Sequence, residues 1–208
     1  MSATNRGPNS NSDPSQYFAT PAWVTRRLLE RVDLPNGLWL EPSAGEGAII
    51  RAVAEMRSAI RWHAVEYRAE CLPALRALSV VEVAQTSSFQ RAALGRYAVC
   101  LGNPPYAAAL EFVQHALGCA EVVVMLLRLN WLASAKRAEW MRQHPPCLFV
   151  LPDRPSFVGT GGDATDYAWM AWGLRNPPTV EILGSTSPGE REGHALRERW
   201  QRDLFAAP

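Results

Sequence analysis

Asn103-Pro104-Pro105-Tyr106 places a carboxamide, two prolines and a phenol in consecutive positions, directly after the apolar run Tyr97-Ala98-Val99-Cys100-Leu101-Gly102. The run reads as a strand, so the four residues stand at its C-terminal end, where open α/β sheets hold their ligands. Consecutive prolines neither extend a ladder nor enter a helix interior. They fix a stiff turn and expose carbonyls that neighbouring amides do not readily claim. An Asn oxygen beside a Pro carbonyl makes a pair of acceptors for an –NH2 group, next to an aromatic plane. That chemistry suits a planar amino-bearing group, such as an adenine ring or a carboxamide. As plain architecture, the same residues make a rigid loop with a buried Tyr.

A second set lies nearer the N-terminus. An early strand leads into Glu41-Pro42-Ser43-Ala44-Gly45-Glu46-Gly47, and a helix starts at Ala48. Gly45 and Gly47 permit a tight turn and close approach of a ligand to the backbone. The spacing is not the dinucleotide fingerprint, and no Gly-Lys-Ser/Thr follows, so the pattern does not point to a phosphate cradle. An acid at the strand end suits a cationic or hydroxyl-bearing ligand. The next strand ends in Glu66, a position whose carboxylate commonly accepts the two hydroxyls of a ribose. Together the glycine turn and the two acids describe an adenosine-type ligand. Separately they are an ordinary helix-start turn and a solvated Glu.

Positioning these residues requires alternating strands and helices. Thr20 as N-cap and Pro21 as first helical residue open a helix with Val24, Leu28, Leu29 and Val32 on one face, ended by Asn36-Gly37. Strands are predicted at 38–40, 62–65, 80–84, 97–102, 121–127, 147–151, 167–172 and 180–183. Helices are predicted at 48–56, 68–78, 108–117, 131–143 and, in a terminal amphipathic segment, 194–205. The loop 85–88 is polar, and 152–166 is a loop with Gly159, Gly161 and Gly162. This alternation predicts an α/β fold: a mostly parallel sheet covered on both faces, with antiparallel strand or strands at one edge. Residues 1–14 read as a disordered tail, and 15–208 as a single domain with no separate target-recognition domain.

Composition narrows the class further. The 208 residues are 48% apolar and 20% charged with a net charge of +1, so any polyanion site must come from local clustering. No apolar run is long enough to span a membrane, and the N-terminal segment lacks a signal-peptide core. The four cysteines, Cys71, Cys100, Cys119 and Cys147, lie far apart, and the histidines have no ligand spacing. They indicate small buried side chains in a reducing, cytoplasmic compartment rather than a metal site or a disulfide set.

Taken in order, Glu41-Pro42-Ser43-Ala44-Gly45-Glu46-Gly47, Glu66 and Asn103-Pro104-Pro105-Tyr106 resemble the class I S-adenosylmethionine-dependent methyltransferases that modify exocyclic amino groups. Phe18-Ala19-Thr20-Pro21 is similar to the N-terminal cofactor segment of the DNA adenine-N6 group. Arg154-Pro155-Ser156-Phe157 and the later Thr165-Asp166-Tyr167-Ala168-Trp169-Met170-Ala171-Trp172 resemble a late motif of its small phage- and prophage-type members. The resemblance implies a Rossmann-like methyltransferase sheet, S-adenosylmethionine as cofactor, and DNA as partner in preference to RNA. By the same resemblance, Asn103 and the Pro104 carbonyl accept the two hydrogens of adenine N6, with Pro105 completing the turn and Tyr106 stacking on a flipped-out base. Phe157 is a second wall of that pocket, or else a core-covering side chain. Thr20 and Pro21 serve the methionine end. Glu41, Pro42, Ala44, Gly45 and Gly47 pack against the methionine and ribose, Glu66 takes the ribose hydroxyls, and Phe89 packs on the cofactor's adenine.

Two departures from that family stand out. An acidic residue usually precedes the aromatic after the third strand, whereas this chain has Ser87-Ser88-Phe89; Ser88, or Gln85, would take that part. Target recognition would fall to loops, a homodimer mate or a partner subunit, or the sequence specificity would be short or relaxed. Arg128 and Asn130 at the catalytic edge, with Lys136, Arg137, Arg142 and Arg154, are candidate phosphate contacts; Lys136 and Arg137 equally read as a solvated helix face. The competing functions are an RNA adenine or protein-glutamine methyltransferase with the same chemistry, and a non-catalytic DNA-binding subunit.

Overall fold

The computed structural model of the chain describes residues 19–157, 165–175 and 179–190. Helix α1 (Ala22–Leu29) precedes β1 (Leu38–Glu41), α2 (Ala48–Met56), β2 (Arg61–Glu66), α3 (Leu72–Arg76), β3 (Val81–Thr86) and β4 (Tyr97–Gly102). Then come α4 (Ala109–Leu117), β5 (Ala120–Arg128), α5 (Ala138–Gln143), β6 (Cys147–Val150), β7 (Tyr167–Trp172) and β8 (Val180–Ile182). The strands form one sheet in the order β3-β2-β1-β4-β5-β7-β6-β8. Strands β1 to β5 pair in parallel, β7 is antiparallel to both its neighbours, and β8 is parallel to β6.

Strand order decides where a ligand can enter. After β1 the chain winds outward through β2 and β3, returns to place β4 on the other side of β1, and winds outward again through β5. The order reverses between β1 and β4, and at that point the two connections leave in opposite directions and open a crevice beyond the strand ends. Glu41 ends β1 and Asn103 follows β4, so both acceptor sets border this crevice.

A doubly covered sheet explains the continuous apolar runs. In β5, Val122, Val124 and Leu126 enter the core shared with α1 and α2, while Val123, Met125 and Leu127 enter the core shared with α4. Burying each such side chain contributes about 1.5–3 kcal/mol. Strand β7 divides in the same way, and the Trp169 indole donates to the Val24 carbonyl at 3.0 Å, which ties α1 to the sheet.

Several boundaries differ from expectation for identifiable reasons. The antiparallel strand lies beyond β5 as anticipated, but β7 inserts between β5 and β6, leaving β8 at the rim. Pro21 occupies the N-cap of α1 and its carbonyl accepts from Val24 N–H, so Thr20 lies outside the helix and its hydroxyl is used elsewhere. The predicted helix 68–78 is a short 3-10 turn followed by α3, with Pro73 in the first turn. Of the predicted helix 131–143 only α5 is α-helical. Before it, Leu129–Leu132 form a 3-10 turn whose Trp131 carbonyl is captured by the Arg137 guanidinium at 3.1 Å. Gln85 belongs to β3 rather than to a loop. Phe18, the tail 1–14, Gly159, Gly161, Gly162 and the predicted helix 194–205 lie outside the described residues. Among the described residues no helix is long and apolar enough to cross a membrane.

Candidate active site at the switch point of the sheet

Gly102 ends β4 against the loop that follows β1: a Cβ there would come within 2.9 Å of Pro42 Cδ. That close approach brings Ser43 to Asn103. The Ser43 hydroxyl donates to the Asn103 carbonyl at 3.1 Å, and the Asn103 side-chain Nδ2 donates to Thr20 Oγ1 at 3.1 Å. One step on, the Pro105 carbonyl accepts from Ala108 N–H at 3.0 Å as the chain turns toward α4. These bonds occupy the carbonyls on either side of Pro104 and the donor end of the Asn103 amide. Two acceptors remain, Asn103 Oδ1 and the Pro104 carbonyl, and neither has a donor among the described residues.

An aromatic wall flanks this pair. Tyr106 is half-buried, with its ring centre 5.9 Å from that of Tyr167, and Phe157 meets Tyr167 edge-on at 5.3 Å. Arg128 at the end of β5 lies directly opposite Tyr167 in the β5–β7 register. Its guanidinium carbon stands 4.7 Å from the Tyr106 ring centre, and its Nε donates to the Tyr167 hydroxyl at 3.3 Å. Asn130 is exposed just beyond. Arg154 pairs with Asp166 at 2.7 Å, and both side chains are more than half exposed, so the pair contributes little to stability.

Across the crevice, the turn after β1 is shaped by two positive-φ glycines. Gly45 has φ 53°; Gly47, at 84°, caps α2, and a Cβ there would lie 2.7 Å from Leu78 Cδ1. Ala44 N–H donates to the Val65 carbonyl, fastening the turn to β2. The buried carboxylate of Glu66 accepts Gly45 N–H at 2.6 Å on Oε2, and the backbone N–H and Nε of Arg68 at 3.0 and 2.8 Å on Oε1. A carboxylate offers about four lone-pair sites, so Glu66 retains acceptor capacity. Glu41 is 2% exposed, and its Oε2 has no hydrogen-bond partner among the described residues. Burial above all, then the neighbouring Glu66, pushes the Glu41 carboxyl well above the usual range; Arg51 and a bond from Ile50 N–H oppose the shift. A buried acid with one unpartnered oxygen beside a second carboxylate fits a ligand that brings positive charge and hydroxyl donors.

Not every sequence-predicted residue lines the crevice. Phe89 is 1% exposed and packs against Phe112 and His115 in the core, where its ring anchors the turn that carries half-buried Ser88. Gln85 in β3 already holds His63 Nε2 on its Oε1 at 3.2 Å. Arg137 lies over the Trp131 ring at 4.9 Å, and Arg142 pairs with Glu139. Sequence reading missed Ser43 and Arg68 as polar partners, and Tyr167 as the ring that joins Tyr106 to Phe157. Only the strand register could have revealed Tyr167.

No family model matches the chain, and no curated protein matches it. Solved structures do. The 23S rRNA methyltransferase ErmE is 17% identical with a TM-score of 0.58, covering 80% of this chain and 72% of its own. A methyltransferase from Pyrococcus furiosus is 13% identical with a TM-score of 0.55, covering 73% and 82%. A precorrin-6y C5,15-methyltransferase from Geobacter metallireducens is 14% identical with a TM-score of 0.50, covering 74% and 87%. The chain therefore has the Rossmann-like fold of the class I methyltransferases, a fold whose members named here act on chemically different acceptors.

Proposed function

We propose that this protein is an S-adenosylmethionine-dependent methyltransferase acting on the exocyclic amino group of adenine in a nucleic acid. The observation that carries the proposal is the pair of open acceptors, Asn103 Oδ1 and the Pro104 carbonyl, with the Asn103 and Pro105 carbonyls and the Asn103 Nδ2 already engaged. An amino nitrogen conjugated to a ring is a poor nucleophile. Two acceptors on its hydrogens draw the lone pair out of conjugation and stabilise the positive charge that grows on nitrogen during transfer. Fixing that nitrogen in line with an activated methyl supplies the proximity contribution.

The residues across the crevice suit the cofactor. S-adenosylmethionine supplies an activated methyl on a sulfonium. Glu66 would accept the ribose hydroxyls, the turn Pro42-Ser43-Ala44-Gly45 with Gly47 would lie against the ligand, and Glu41 would supply negative charge. Ser88 offers one neutral acceptor toward an adenine amino group. On the substrate side, Tyr106 and Phe157 would flank the target ring, and Arg128, Asn130 and Arg154 would meet the strand that carries it. Stacking of this kind contributes on the order of 1–3 kcal/mol per base.

The resemblance of Phe18-Ala19-Thr20-Pro21 and of the Arg154 to Trp172 segment to the DNA adenine-N6 group favours DNA as the substrate. RNA is the second reading, supported by ErmE, a methyltransferase of 23S rRNA. The test is incubation with methyl-labelled S-adenosylmethionine and, separately, DNA, RNA and protein, alongside Asn103→Ala. Label in DNA or RNA adenine that disappears in the variant supports the proposal and chooses between the arms. Label confined to protein glutamine would overturn the adenine assignment, and no label anywhere would leave a methyltransferase-like binding subunit.

A further inference from the structure

An Asn side chain has an acceptor and a donor end of nearly the same shape, and only one of them can receive the hydrogens of an amino group. The reverse orientation would meet a substrate –NH2 with hydrogens of its own. The amide must therefore be held in place, and here its Nδ2 end is spent on the Thr20 hydroxyl, which leaves Oδ1 to accept. We infer that Thr20 and Ser43 are positioning residues that clamp Asn103 by its side chain and its backbone, so that Oδ1 and the Pro104 carbonyl point to one place. The inference rests on the amino-methylation reading given above.

The geometry supports a clamp. Thr20 is 3% exposed, and its Oγ1 accepts Asn103 Nδ2 at 3.1 Å. If Asn103 swung away, this buried hydroxyl would lose its donor, which opposes the movement. Ser43 holds the Asn103 carbonyl at 3.1 Å, which leaves the next carbonyl, that of Pro104, as the open one. Both anchors stand on rigid parts. Thr20 precedes α1, whose Val24 and Leu28 are fully buried and whose Val24 carbonyl is held by Trp169. Ser43 follows Pro42, which packs against Gly102, and precedes Ala44, which bonds to Val65. The Thr20 hydroxyl, expected at the methionine end of the cofactor, is committed to Asn103 instead, while the turn expected to lie against the cofactor also orients the acceptor for the substrate. A supporting residue on a packed element is what keeps a reacting geometry narrow.

The full-length protein with Thr20→Val and Thr20→Ser tests this. Thr20→Val keeps the shape and removes the hydroxyl; Thr20→Ser keeps the hydroxyl. Thr20→Val should lower the single-turnover rate of methyl transfer about 10- to 100-fold, the range for a small misplacement of a reacting group. S-adenosylmethionine affinity, measured by calorimetry, should be unchanged, and Thr20→Ser should restore most of the rate. Loss of cofactor affinity in parallel with rate would assign Thr20 to the cofactor instead and overturn the inference. A second readout needs no activity. The Asn103 side-chain NH2 resonances, identified by their loss in Asn103→Ala, should exchange with solvent faster in Thr20→Val and in Ser43→Ala than in the wild type. Equal exchange in all three would sink the clamp. Should the wild type transfer no methyl to any amino group, the proposed function falls while the exchange measurement still decides the clamp.

Discussion

Arg128 and Tyr106 are stacked: the guanidinium carbon lies 4.7 Å from the ring centre, at the edge of the crevice where a target ring would lie against Tyr106. The β5–β7 register places Arg128 opposite Tyr167, and the bond from its Nε to that hydroxyl keeps the guanidinium over the ring. A cation held over an aromatic face contributes about 0.5–2 kcal/mol. Arg128→Ala should therefore raise the KM for the proposed nucleic-acid substrate several-fold while leaving cofactor affinity unchanged. Arg128→Lys should recover only part of the loss, because a compact ammonium lacks the planar fork that both stacks and bonds. Steady-state kinetics with each substrate varied in turn would show this. A change in cofactor KM alone would contradict it.

Glu66 joins the glycine turn to β2 through Gly45 N–H and to Arg68 through its other oxygen. Glu66→Gln keeps the size but offers one acceptor end instead of two. Its NH2 must then face either Gly45 N–H or Arg68, leaving a buried donor unmatched. A penalty of about 1–3 kcal/mol is expected. The variant should melt lower than the wild type without ligand, and the loss of an acceptor of similar worth for the ribose hydroxyls should weaken S-adenosylmethionine binding about 5- to 150-fold, since 1.4 kcal/mol is a factor of ten. Thermal melts with and without cofactor measure both effects.

The parts legible in the sequence were those governed by local rules. Strand β4 and helix α2 followed from uninterrupted apolar runs and a glycine turn, and the prolines at 104 and 105 fixed the acceptor loop. What escaped was set by pairs far apart in the chain. Nothing near Trp131 announces that Arg137 will take its carbonyl and cut the predicted helix short. Strand β7 enters between β5 and β6 because both its faces are apolar: Tyr167, Trp169 and Ala171 face one core, Met170 and Trp172 the other. A residue buried on a two-faced strand gives no hint of which neighbour it will meet. The Thr20–Asn103 bond is of the same kind, spanning 83 positions.

Glu41 predicts a pH dependence with a definite sign. Its carboxyl is raised by burial and by Glu66, against the pull of Arg51 and Ile50 N–H. A raised folded-state value means that the folded protein binds the proton more readily than the unfolded chain. The resulting stabilisation is complete below the ordinary Glu range and is lost as pH rises through the folded value. The ligand-free melting temperature should therefore fall with rising pH across that window, and Glu41→Gln should flatten the fall. A cationic ligand favours the ionised carboxylate, so cofactor binding should release a proton and strengthen as pH rises through the same window. Calorimetry in two buffers of different ionisation heat counts that proton. Proton release undiminished in Glu41→Gln would assign it to another group.

Gly173 closes β7 against the start of β5. Its φ is 81°, and a Cβ there would lie 2.1 Å from the Glu121 carbonyl oxygen, a backbone atom held in the β5 ladder. Neither strand can move aside without shifting the register that sets Tyr167 opposite Arg128. Gly173→Ala thus combines a strained backbone conformation, about 1–3 kcal/mol, with a steric clash that only a displacement of β7 relieves. For a chain of this length about 2–4 °C of melting temperature is lost per kcal/mol, so a drop of several degrees or more is expected. Gly95→Ala is the matched control, because a Cβ at that position meets nothing within 4 Å. It should melt close to the wild type. Equal melting of Gly173→Ala and Gly95→Ala would mean that β7 can slide on β5, and the wall formed by Tyr106, Tyr167 and Phe157 would then not be fixed by the sheet.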